Sequence, residues 1–140
     1  MGNSMKTPLG FIGLGAMGKP MALNLIKKGF SLWIYDLVEE KMKPLISQGA
    51  RACGSSREVA ANCPVIITIL PGPADVRAAV LGKEGVIEGI KPKATLIEMS
   101  TIDPLTTREV AAALSTKGVA MLDAPVARGV PAAVGGTLSI

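Results

Sequence analysis

The sequence contains no histidine. No histidine general base, Ser-His-Asp triad or histidine-ligated zinc site can be built from these 140 residues. Aromatic residues are almost as scarce: one Trp, one Tyr and two Phe. With so little to stack on bases, nucleic acid is not the expected partner. Two cysteines, Cys53 and Cys63, are too few for a disulfide framework and stand in no metal-ligand spacing, so no metal is expected. The longest apolar run, Val65 to Leu70, falls far short of a membrane span. The opening MGNSMKTP lacks the apolar segment of a secretory signal. Gly2 begins a myristoylation-like pattern, but Lys6 stands where that motif needs Ser or Thr. Met5 is the expected natural start, with four residues added before it. The expectation is a reduced, soluble, cytoplasmic protein with no membrane partner.

What is present is aliphatic. Apolar residues make up 49% of the chain and charged ones 19%, so the core must come from Val, Ile, Leu, Ala and Met. The length suits one domain with a sizeable core. A net charge of +4 is spread along the chain rather than clustered. It would attract an anionic ligand, although solubility alone explains it equally well.

Short apolar runs alternate with helical patterns, the mark of βαβ units and a parallel sheet. Strands are expected at 9–13, 32–35, 50–53, 65–70, 95–99 and 119–122. Helices are expected at 16–28, 38–48, 56–62 and 73–81, and from Asp103-Pro104 to Lys117, where Gly118 stops the last one. The first helix carries Met17, Met21 and Leu25 on one stripe, and Pro20 falls in or just past its first turn. The expected fold is α/β: a Rossmann-type, doubly wound, mostly parallel sheet with helices on both faces. Gly135 to Ile140 reads as a turn running into a further strand, and residues 1–140 as one cofactor domain cut from a longer protein.

The stretch FIGLGAMGKP fits two phosphate-binding patterns. Gly13, Leu14, Gly15, Ala16, Met17 and Gly18 satisfy G-x-G-x-x-G; with Lys19 they also meet all but the last position of G-x-x-x-x-G-K-[ST]. A triphosphate loop needs a hydroxyl after its lysine to ligate Mg²⁺. Here that residue is Pro20, with neither hydroxyl nor N–H. The dinucleotide reading meets its requirements: the glycines follow an expected strand and open an expected helix. Asp36 closes the second strand, eighteen residues past Gly18, where a carboxylate can accept hydrogen bonds from ribose hydroxyls. A 2′-phosphate would meet repulsion from Asp36, and neither Leu37 nor Val38 is an arginine to hold it. NAD is therefore expected over NADP, with Lys19 a solvated helix residue.

FIGLGAMGKPMALNL resembles the N-terminal signature of the β-hydroxyacid dehydrogenases, the family of 3-hydroxyisobutyrate dehydrogenases and tartronate semialdehyde reductases. The pattern F-I-G-L-G-x-M-G-x-x-M-A-x-N-L is met at every fixed position. The likeness continues through TILPGPADV, EMSTIDP and DAPVARGVPAAVGGTL, so it covers almost the whole chain. The resemblance implies that Leu70 and Pro71 line the adenosine half of the cofactor and that Thr101 lies beside the nicotinamide ribose. It implies a substrate loop after Asp123, and an enzyme that interconverts a small 3-hydroxy acid and its semialdehyde by hydride transfer. It also implies that a lysine in a later helix, supported by an asparagine, handles the proton.

Two departures bear on function. The family usually reads D-A-P-V-S-G-G, whereas here Ala127 and Arg128 replace Ser-Gly ahead of Gly129. A neutral hydrogen-bonding group is lost and a guanidinium gained, able to grip carboxylate, sulfonate or phosphate in two parallel bonds. The sulfolactaldehyde reductases of this family are similar in placing an arginine there. Arg128 is thus the candidate for the anionic end of the substrate, against the alternative of a surface arginine paired elsewhere. The second departure is length. None of Lys83, Lys91, Lys93 or Lys117 sits in the catalytic motif, so the catalytic lysine is expected beyond residue 140, with the helical domain that usually builds the oligomer. No catalytic residue is expected within the chain, which should bind cofactor with little or no turnover. Three other readings stay open: a non-catalytic relative acting as an interaction module, a sulfolactaldehyde-reductase-like enzyme, and a 6-phosphogluconate dehydrogenase-like enzyme, the last disfavoured by the fit of M-A-x-N-L and D-A-P-V.

Overall fold

A computed structural model describes residues 7–140; Gly2, Lys6's neighbour Met5 and the start they suggested lie outside the described residues. The strands are β1 (Leu9–Ile12), β2 (Leu32–Tyr35), β3 (Arg51–Ala52), β4 (Val65–Thr68), β5 (Thr95–Glu98) and β6 (Ala120–Asp123). They form one sheet in the order 3-2-1-4-5-6, and every adjacent pair is parallel. β1 stands at the centre of the register, with Phe11 opposite Ile34 on one side and Ile67 on the other.

Helices α1 (Gly18–Lys27), α2 (Lys43–Ile46), α3 (Ser56–Asn62), α4 (Pro73–Leu81), α5 (Val86–Gly89), α6 (Pro104–Ser115) and α7 (Gly129–Gly135) complete the described chain. Successive side chains of a strand point to opposite faces of the sheet, so each inner strand feeds two cores. Ile12, Ile66 and Leu96 pack with Val59, Val76, Val80, Val110 and Leu114 from α3, α4 and α6. Phe11, Ile34 and Ile67 pack with Ala22 of α1 and Leu45 of α2. Each fully buried Leu, Ile or Phe contributes roughly 1.5–3 kcal/mol. The fold is the doubly wound α/β arrangement that the alternating pattern led one to expect.

The differences from expectation are local. The second helix is not continuous over 38–48: a 3₁₀ turn at Glu39–Met42 precedes α2. Pro44 has no N–H to donate to the Glu40 carbonyl, so the α-helical ladder cannot run through it. The first helix begins at Gly18 rather than Ala16, although Gly15 O and Met17 O already accept from the Lys19 and Met21 amides. The four inner and outer strands expected to be longer end a residue or two early, β1 because Gly13 turns out of the strand at φ +99°. Two short helices, α5 and α7, interrupt segments expected to be loop. After α7, Gly136 takes φ +70° and Ser139 forms a single antiparallel bridge with Ala127, where a turn entering a further strand was expected. At the start of α6 the Asp103 carboxylate accepts from the Thr106 amide (2.9 Å) and hydroxyl (2.7 Å), the cap expected there. Both cysteines are buried and unbridged.

Candidate functional site

Strand order reverses between β1 and β4. The chain leaves β1 toward β2 on one side, and β4 continues to β5 on the other, so a crevice opens at their C-terminal ends. The crevice holds about 350 Å³ and is walled by Gly13, Asp36, Val38, Ser55, Leu70 and Pro71, among others, with Lys41 and Lys83 also on it. Another concavity, of about 420 Å³, lies at the opposite end of the strands, between Cys63-Pro64 and Lys91-Ala94. It has no glycine turn and lies away from the switch point, so the chemistry belongs to the first.

Three glycines shape the turn in three ways. Gly13 takes φ +99°, and a Cβ there would collide with the Ile69 carbonyl. A Cβ on Gly18 would strike the Gly13 carbonyl, so only glycine lets α1 start so close to the turn. A Cβ on Gly15 would meet nothing within 4 Å. The space above that backbone is open, which is the room a pyrophosphate requires. No acidic residue stands in the first turn of α1, and Met17 provides no side-chain cap. The positive end of the helix is therefore left for an anion. The residues fit a dinucleotide.

Asp36 is half-buried at the end of β2. Its Oδ2 accepts from the Leu14 amide at 2.8 Å, and its Oδ1 accepts from the Val38 amide at 2.8 Å. Each carboxylate oxygen carries two acceptor positions, so one remains on each for ribose hydroxyls. The sequence suggested only the ribose role; the structure adds a tie between the end of β2 and the glycine turn.

Leu70 and Pro71 line the crevice, and the Leu70 amide donates to Ser100 Oγ at 2.8 Å. Thr101, the next residue, is exposed on the loop after β5. Below them is a group that motif reading passed over. Glu98, fully buried, accepts from the Ser100 amide at 2.7 Å and from the Thr68 hydroxyl. Burial pushes its carboxyl pKa up, hydrogen bonds from Ser100 and Thr68 pull it down, and nearby Asp123 adds an upward push. The signal was an acidic residue closing a strand directly after the apolar pair Leu96-Ile97.

Ala127, Arg128 and Gly129 lie outside the crevice walls, as do Thr101 and, at the mouth of the turn, Leu14 to Gly18. Ala127 donates its amide to Ser139 O at 2.8 Å. Arg128 adopts a left-handed conformation at φ +84° and its Nη1 donates to Thr137 O at 3.3 Å, with Gly129 starting α7. The Asn24 side-chain amide, on α1, donates to Ala133 O at 2.7 Å and Val134 O at 3.3 Å. The helix that bears the phosphate turn thus also holds α7. Of the lysines set aside earlier, Lys117 donates to Ile87 O at 2.5 Å, and Lys91 and Lys93 line the far concavity.

Residues 8–140 match the family model described as the NAD binding domain of 6-phosphogluconate dehydrogenase. The chain is 41% identical over 132 residues to 2-(hydroxymethyl)glutarate dehydrogenase of Eubacterium barkeri, covering 94% of this chain and 44% of that protein. It is 42% identical over 134 residues to the mitochondrial 3-hydroxyisobutyrate dehydrogenase of Homo sapiens, covering 96% and 40%. The solved structure of Mycobacterium tuberculosis 3-hydroxyisobutyrate dehydrogenase with L-serine superposes with a TM-score of 0.88 at 34% identity, over 96% of this chain and 45% of that one. The chain thus spans less than half the length of these relatives.

Proposed function

The chain belongs to the family of the NAD binding domain of 6-phosphogluconate dehydrogenase, with hydroxyacid dehydrogenases as relatives, and from this premise we propose that it holds the cofactor of an oxidoreductase that interconverts a small 3-hydroxy acid and its semialdehyde. One observation carries the reading: the Leu14–Asp36 tie, set beside the open space over Gly15 at the switch point. A bound nicotinamide would accept or supply the hydride. Gly13 to Gly18 would hold the pyrophosphate, Asp36 the ribose, Leu70 and Pro71 the adenosine half, and Thr101 the nicotinamide ribose.

NAD is the proposed cofactor. A 2′-phosphate would sit against a carboxylate fixed by two backbone amides, at a cost of roughly one to several kcal/mol. Lys41 and Lys83 on the crevice wall each supply a point charge against that repulsion, without the two-pronged grip of an arginine.

Arg128 is proposed to hold the anionic head group of the substrate, whether carboxylate, sulfonate or phosphate, with the backbone of Ala127 and Gly129 beside it. A left-handed backbone costs a non-glycine residue about 1–2 kcal/mol. An arginine kept in that conformation, in front of a glycine, supports a task for its side chain. The proton-handling lysine is assigned to a part of the enzyme outside residues 1–140, together with a helical domain that would build a homo-oligomer. Exposed Leu105, Leu122 and Val134 offer apolar surface for that contact.

Calorimetric titration of the chain with NADH and with NADPH tests the cofactor reading. NADH should bind the more tightly; equal or tighter binding of NADPH would contradict it.

A further inference from the structure

Glu98 has no task in the proposed reaction, yet it is 0% exposed at the C-terminal end of β5, directly below the crevice loops. Its register partners are Thr68 on β4 and Asp123 on β6. A carboxyl group withdrawn from water is costly unless its oxygens are engaged. Here both are: Oε1 accepts from the Ser100 amide at 2.7 Å, and Oε2 from the Thr68 hydroxyl. Ser100, itself only 2% exposed, uses its hydroxyl in turn to accept the Leu70 amide at 2.8 Å.

These bonds form a chain from Thr68 through Glu98 and Ser100 to Leu70. Its far end fixes the backbone at Leu70, which adjoins Pro71 on the adenosine side of the crevice. Its middle link fixes Ser100, which adjoins Thr101 on the nicotinamide side. We propose that Glu98 is a positioning residue for the cofactor: acting through Ser100, it sets the β4–α4 loop and the β5–α6 loop in register with each other. The inference rests on the cofactor assignment above and extends it to a residue that touches no ligand. In this account the acid of the E-M-S-T run is there to seat Ser100, and Ser100 is there to seat Leu70.

The test uses the whole chain. NADH affinity is measured by calorimetry for wild type, E98A, E98Q, S100A and the E98A/S100A double variant, with amide hydrogen exchange followed at Leu70 and Ser100. E98A removes the charged acceptor of the Ser100 amide and S100A the neutral acceptor of the Leu70 amide; each leaves a backbone N–H without its partner, so each should weaken NADH binding by about tenfold. The double variant should be no weaker than the worse single one, because both act through one chain of bonds. E98Q retains an oxygen for the Ser100 amide and can donate its own amide to Thr68, so it should restore most of the affinity. Leu70 exchange should quicken in both E98A and S100A, and Ser100 exchange in E98A. A merely structural role would give additive losses and no rescue by E98Q.

Wild-type affinity in S100A, or additive losses in the double variant, would overturn the inference while leaving the cofactor assignment standing. S100A and E98Q decide the matter even if E98A does not fold. Failure of the wild-type chain to take up NADH would remove the cofactor assignment and this inference with it.

Discussion

The Leu14 amide donates to Asp36 Oδ2 across 2.8 Å, joining two residues 22 positions apart at the ends of adjacent parallel strands. With the Val38 amide on Oδ1, this leaves the Asp36 side chain little freedom to swing from an incoming ligand. The charge that would discriminate between cofactors is therefore held in place before binding.

Asp36→Asn should accordingly change selectivity more than fold. The amide retains one acceptor oxygen for the turn but loses the charge that repels a 2′-phosphate. The ratio of NADPH to NADH affinity should rise by about tenfold, the equivalent of ~1.4 kcal/mol. Titration of the variant with both cofactors checks this; an unchanged ratio would show that Asp36 does not set the choice.

Arg128→Gly should separate stability from binding. Relief of the left-handed backbone gains about 1–2 kcal/mol, partly offset by the greater freedom of glycine in the unfolded chain. The net expectation is a rise in Tm of a few degrees, read by thermal denaturation. A fall in Tm would mean that the Arg128–Thr137 contact outweighs the strain.

Asn24→Ala should loosen α7 without disturbing the glycine turn. The variant leaves the Ala133 and Val134 carbonyls without the side-chain donor they now share, at a cost of about 1 kcal/mol. Hydrogen exchange should accelerate across α7 and stay unchanged in β1 and β4. Uniform acceleration across the sheet would contradict a local role.

The two thiols make stability sensitive to alkali. Burial pushes Cys63 up to about 12, with neighbouring Cys53 adding to it. Burial likewise pushes Cys53 up to about 11, helped by Glu58 and opposed by Arg51. Because the folded chain holds these protons more firmly than the unfolded chain, their contribution is fully present below the ordinary thiol value of 9.0 and is lost as pH rises through the folded values. Denaturant unfolding from pH 8 to pH 11 should show stability falling, and Cys53→Ala/Cys63→Ala should flatten that fall. Alkylation of the native chain near pH 8 should be slow at both sites.

Much of this architecture was legible in the residues. The apolar runs of β1, β2 and β4 and the glycine turn between β1 and α1 need only local chemistry to read. So do α3, α4 and the Asp103 cap of α6. The break before α2 was equally local, since Pro44 was visible within the expected helix. α5 and α7 were not legible because each is too short to show a helical period. Asn24 and Glu98 were read only as letters of a motif. Asn24 bonds a carbonyl 109 residues away; Glu98 bonds Thr68, 30 residues away, and through Ser100 reaches the Leu70 amide, so these roles appear only once the chain is folded. The site residues divide in the same way: Gly13, Asp36, Leu70 and Pro71 meet at one crevice, while Leu14 to Gly18, Thr101 and Ala127 to Gly129 are not among its walls.

The most direct test of the central claim is a crystal structure of the chain soaked with NADH. Electron density for two linked phosphates should stand above Gly15, with a ribose within hydrogen-bond distance of Asp36. Density elsewhere, with the cleft between β1 and β4 occupied only by solvent in crystals where NADH is otherwise visible, would contradict it.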